Sequence, residues 1–124
     1  MNPVTYVLVA DGNKAKVYKS EVELLAGLQL VQERDNKHSS AGHSFHGEKD
    51  SHRHAEEKFA QELCTQLNAD RIAGKFTELM IAAPPHLLGA LRSHLSHDCQ
   101  KVLSKTVDKD LLRNGPRELR EHFR

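Results

Sequence analysis

No charge of one sign dominates this chain. Its 18 Lys and Arg stand against 17 Asp and Glu, leaving a formal charge of +1. No global field therefore draws it onto nucleic acid or an anionic membrane, and any such binding has to be local. No apolar run approaches the roughly 18 to 20 residues of a membrane span. The opening MNPVTYVLVADGNKAK lacks a basic leader with an apolar stretch and a small-residue cleavage site, so the expected compartment is the cytoplasm. Cysteine is scarce: Cys64 and Cys99 are far apart, and each falls within a predicted helix. They read as reduced packing residues rather than a disulfide framework. The sequence has no G-x-S-x-G elbow, and neither cysteine has a plausible base beside it, so nucleophilic catalysis has no positive signal. Gly42 and Gly47 have phosphate-loop spacing, but Glu48-Lys49 follows where Lys and then Ser or Thr are needed, and no strand directly precedes them.

What is there reads as one α/β domain over residues 1–124, a size that favours partners and a homodimer. Leu79 to Ala83 is apolar at every position, as in a strand covered on both faces. Pro84-Pro85 ends the ladder and presets a helix start, after which Leu87, Leu88, Leu91 and Leu95 recur at helical spacing. Gly89 is expected to let that helix approach the sheet closely. Val4 to Ala10 predicts an interior strand, Asp11-Gly12-Asn13 a tight turn, and Lys14 to Lys19 the return strand. On that strand Ala15 and Val17 face one way and Lys14, Lys16 and Tyr18 the other. Leu28 to Glu33 predicts a third strand with Leu28 and Leu30 inward. From about Arg34 to Asp50 the apolar pattern vanishes, and a mobile His/Gly-rich loop is expected. Asp50 or Ser51 is the expected cap of a long helix with Ala55, Phe59, Leu63 and Leu67 on one face and Gly74 as its stop. Lys101 to Val107 predicts a fifth strand, and Gly115-Pro116 opens a short last helix that docks through Leu119 and Phe123.

Several groups carry potential chemistry. Five of nine histidines, His38, His43, His46, His52 and His54, share one window. Imidazole is a common metal ligand, but His43-x-x-His46 and His52-x-His54 match no finger spacing and no Cys lies near. Protonation would instead make the segment basic below about pH 6.5. His86, in the first turn of a helix, is placed for the carboxyl end of a strand, where ligands often bind. Lys14, Lys16 and Tyr18 form a cation-plus-aromatic strand face suited to tracking phosphates and stacking a base; Lys on a solvated edge strand also blocks aggregation. Arg117, Arg120 and Arg124 lie at i, i+3 and i+7 of the last helix. They form either a phosphate-binding ridge or, with Glu121, a salt-bridged surface.

VLVADGNKAKVYK, the helix opening after a Gly-rich loop, KFTELMIAAPPHLLGALRSHL and VDKDLL together resemble the bacterial "protein required for attachment to host cells" family over nearly the whole chain. The most specific part is Leu79 to Arg92. That family looks like the middle domain of archaeal and eukaryotic class-1 peptide release factors, which implies a mixed five-stranded sheet with helices packed on it. In those factors the loop before the long helix carries Gly-Gly-Gln for ester hydrolysis. The matching segment here, AGHSFHGEKDSHRHAEEKF, offers only Gly42-His43 and Gly47-Glu48, so the hydrolase activity is not carried over.

The expectation is a non-enzymatic cytoplasmic module that binds RNA or the ribosome. It has no cofactor, and its contacts are Lys14, Lys16, Tyr18, Gly42, His43, His46, Gly47, Arg117, Arg120 and Arg124. The alternatives are a protein-interaction or regulatory domain acting indirectly on attachment, and a hydrolase using the His-rich loop with a metal on His43, His46, His52 or His54.

Overall fold

A computed structural model describes residues 3–22, 25–38 and 48–123, the last of these without the side chains of 48–52. Five strands, β1 (Thr5–Ala10), β2 (Lys14–Ser20), β3 (Gln29–Asp35), β4 (Glu78–Ala82) and β5 (Leu103–Val107), form one sheet in the order β3-β2-β1-β4-β5. β1, β2 and β3 pair antiparallel, whereas β1, β4 and β5 pair parallel. The sheet is therefore mixed, as the family resemblance implied. Helices α1 (Glu48–Ile72), α2 (Pro85–His94), α3 (His97–Val102) and α4 (Pro116–His122) complete it.

The parallel strands follow one another across the sheet, β1 to β4 to β5, and right-handed crossovers in a single direction put the connecting helices on one face. α1, α2 and α3 accordingly cover one side, where Leu8, Phe59, Phe76, Leu79, Ile81, Leu87 and Leu91 are fully buried. The expected α1 stripe Ala55, Phe59, Leu63 and Leu67 is buried there. The opposite face holds a second cluster, in which Val7, Val9, Tyr18 and Ala82 meet Leu25, Leu28, Leu111, Leu119 and Phe123. Two covered faces explain why β1 and β4 are apolar at successive positions rather than alternating.

Helix ends follow local chemistry. Gly74, at φ +75, closes α1 with Gly74 N–H donating to Arg71 O and Lys75 N–H to Asp70 O, the paired bonds of a Schellman stop. Pro85 opens α2 at its first positions, and Leu88 N–H donates to Pro84 O.

Four expectations are corrected. α1 is already helical at Glu48, so Asp50 and Ser51 fall inside its first turn instead of capping it. β3 runs to Asp35, and Leu30 is 49% exposed because β3 is an edge strand with little packed on either face. The Leu-rich helix stops at His94; Ser96 then accepts a bond from Cys99 N–H to start α3, which takes the first two residues of the predicted fifth strand. At Gly89 an added Cβ would meet nothing within 4 Å, so this glycine is exposed rather than pressed on the sheet.

Candidate nucleic-acid interface

The candidate contact residues that the structure describes do not form one surface. Lys14 begins β2 at the carboxyl end of β1, where Ala10 pairs with Ala15. Arg120 instead borders a cleft with Thr5 and Glu78, the first residues of β1 and β4. Thr5 and Ala10 are five strand steps apart, roughly 17 Å at about 3.3 Å per residue, so the two basic groups occupy opposite ends of the sheet.

At the carboxyl end, the turn after β1 is fastened by Asp11, whose Oδ1 accepts from Asn13 N–H at 2.7 Å and from Lys14 N–H at 2.8 Å. Asn36, buried at 6% exposure, follows β3 and donates through Nδ2 to Gly12 O at 2.8 Å and to Ala55 O at 3.3 Å. Its Oδ1 accepts from His38 N–H at 2.9 Å. One side chain thus ties the β1–β2 turn, the end of β3 and α1. Glu56 of α1 lies over Gly12, where a Cβ would come within 3.1 Å of its Oε2, and its Oε1 stands 2.8 Å from His86 Nδ1. His86 is therefore at the carboxyl end of β4, as its place after Pro84-Pro85 suggested, and is held by a carboxylate. His38 pairs with Glu62 at 2.8 Å and His94 with Glu57 at 2.6 Å, so α1 carries three such histidine partners among the described residues.

Lys14 is a partnered cation: its Nζ lies 3.2 Å from Glu33 and 3.9 Å from Asp35 on β3. Tyr18 is 6% exposed in the second core. Burial, with Glu33 nearby, pushes its phenol above the ordinary value. Its ring is a core ring and has no free face for a base, so the expected strand surface reduces to Lys14 and Lys16. The alternation was right, but the second face of the sheet is covered at Tyr18. β2 is also interior, between β1 and β3, rather than a solvated edge. Arg34 and Lys37, which the sequence reading left in a loop, border a polar cleft of about 540 Å³ between the end of β3 and α1, with Asp35, Gln61 and Glu62 on its walls.

On α4, Arg117 is exposed, whereas Arg120 is partly buried with its Nε enclosed. Gly42, His43, His46, Gly47 and Arg124, the side chain of His52 and most of the expected loop lie outside the described residues. His54 is exposed on α1. Among the described residues no group of three His, Cys, Asp or Glu side chains is arranged to hold a metal ion, and no helix is long and apolar enough to cross a membrane.

A mixed sheet with three helices on one face and a short helix on the other resembles parts of solved structures. A crystal structure of the archaeal translation termination factor aRF1 superposes at a TM-score of 0.56 with 13% identity, covering 86% of this chain and 30% of that one. A second structure, described as an archaeal protein, superposes at 0.55 with 15% identity over 90% of this chain and 31% of its own. The chain thus spans about a third of the length of these structural relatives. No curated protein matches it in sequence. Residues 29–123 match the family described as protein required for attachment to host cells, and the chain belongs to that family.

Proposed function

We propose that this protein is a non-enzymatic, release-factor-like module that engages RNA or the translation machinery. The reading rests on one observation: nearly the whole chain has the fold of about one third of an archaeal translation termination factor. The contact region in this reading is the carboxyl end of β1 and β4. Lys14, Lys16, Arg34 and Lys37 supply cations there, and the segment containing Gly42, His43, His46 and Gly47 leaves from it. Asn36 and the Glu56–His86 pair tie the β1–β2 turn, the end of β3, α1 and the start of α2 together at that end. With Gly-Gly-Gln absent, binding rather than ester hydrolysis is the role.

Affinity purification of the tagged protein from its own cells, at low and moderate salt and with or without ribonuclease, tests this. Ribosomal material that is lost with ribonuclease or salt supports the reading. Phosphate contacts release counterions, so log K falls by about 0.7 per contacted phosphate per decade of salt for single strands. Lys14→Ala with Lys16→Ala, and Arg34→Ala with Lys37→Ala, should each flatten that slope. A second reading, a protein-interaction module, is favoured by the edge strand β3, where Leu30 and Val31 are 49% and 44% exposed. A single salt-resistant protein partner, or a second copy of the chain, that is lost on Val31→Lys would replace the RNA reading with this one.

A further inference from the structure

At the amino ends of the parallel strands, on the face covered by α4, lies a cleft of about 950 Å³. That volume falls within the roughly 300 to 1,000 Å³ of small-molecule sites. Its floor is Met80 of β4, and its walls are Leu25 from the β2–β3 connection and Phe123 after α4. Leu25 holds φ +59, a left-handed conformation that non-glycine residues rarely adopt and that recurs at ligand clamps. Ser20, itself buried, fixes this wall, its Oγ lying 2.7 Å from Ala26 O and 2.9 Å from Val22 O.

Two cations enter this largely apolar space. Arg120 Nε is buried and has no hydrogen-bond partner among the described residues. Buried polar groups are almost always paired, so an orphaned N–H on a residue that lines the cleft points to an absent acceptor. Lys105 Nζ donates to Phe123 O at 2.8 Å, which leaves two further protons for another acceptor. Glu78, which accepts from Ser104 Oγ at 2.6 Å, and Glu21, which is exposed, also border the cleft. Neither satisfies the Arg120 Nε.

We propose that this cleft binds a small apolar carboxylate, its head group accepting from Arg120 and Lys105 and its hydrocarbon body lying on Met80, Leu25 and Phe123. The site is at the opposite end of the sheet from the candidate nucleic-acid interface and stands independently of that reading.

Sodium decanoate, kept below its micelle-forming concentration, is the probe, titrated into the isotope-labelled full chain and followed by amide and Arg Nε–H chemical shifts. The expected result is saturable shifts at Met80, Lys105, Phe123 and the Arg120 Nε–H. Decanol and acetate should bind more weakly, since each carries only half of the recognition. Arg120→Gln should weaken decanoate by about tenfold or more, the scale of a lost charge-assisted bond. Should that variant fail to fold, Lys105→Met reads the same head-group contact from the sheet. His86→Ala, at the far end, should leave binding unchanged. Absence of saturable shifts, shifts centred elsewhere, equal affinity for decanol, or full affinity in both head-group variants would overturn the proposal.

Discussion

Asn36 uses one side chain to satisfy Gly12 O, Ala55 O and His38 N–H, joining positions 24 and 19 residues away to its own turn. Asn36→Ala removes all three bonds, and the net worth of an intramolecular hydrogen bond is about 0.5–1.5 kcal/mol. Urea unfolding should show a loss of about that size, while Asn13→Ala, at an exposed position, should cost less. Asn36 was invisible in the sequence, where it sits in a polar run, because its partners are set by tertiary contact and not by spacing. The cysteines were legible as packing residues. Cys64 Sγ lies 3.1 Å from Leu91 O, and burial pushes its thiol up to about 12 from 9.0. The folded state thus holds a proton that the unfolded chain releases above about pH 9. Cys64's contribution to stability is complete below pH 9 and fades as pH rises toward 12, by up to about 1.4 kcal/mol per pH unit. Thiol titration with a disulfide reagent should find both cysteines silent until the protein unfolds. Rapid labelling of native protein at neutral pH would contradict the buried assignment.

Among the elements, two glycines that look alike in sequence are opposites in structure. Gly89 lies within α2 with open space around it, whereas Gly74 ends α1 at positive φ. Gly89→Ala should raise stability by about 0.5–1 kcal/mol, because alanine loses less backbone entropy in a helix. Gly74→Ala should lower it by about 1 kcal/mol or more, because the left-handed conformation is costly for any residue with a Cβ. Denaturation midpoints moving in opposite directions check both. The same contrast marks how far pattern reading reached. Helical spacing located α1 and α4, which each bury one stripe, and unbroken apolar runs located β1 and β4, which are covered on both faces. Pattern reading misjudged β3, whose Leu30 lost its cover by lying at the sheet edge, and it missed α3, a six-residue turn of helix started by Ser96. At the site, Lys14 and Lys16 were found by alternation. The pairing of Lys14 with Glu33 and Asp35, and the burial of Tyr18, depend on which strand lies next to β2 and which helix covers the far face.

At the scale of the molecule the two faces of the sheet are unequal. One carries three helices, including the 25-residue α1, while the other carries the seven-residue α4, which docks chiefly through Leu119, Phe123 and the Lys105–Phe123 bond. Such an element opens at less than the global free energy, as do many segments that border ligand sites. Native-state hydrogen exchange should therefore find α4 amides less protected than those of β1 and β4. Leu119→Ala removes a fully buried side chain. Truncations of this kind cost about 2–5 kcal/mol, or roughly 30-fold and more in the local opening equilibrium. That loss should appear in α4, with β4 protection nearly intact under native conditions. Leu91→Ala, on the three-helix face, should instead lower the protection of β4 and α1 together. If Leu119→Ala accelerates β4 as much as α4, the second face belongs to the same cooperative unit. The cleft beside Arg120 would then be a rigid pocket, and not one whose wall can part to admit its ligand.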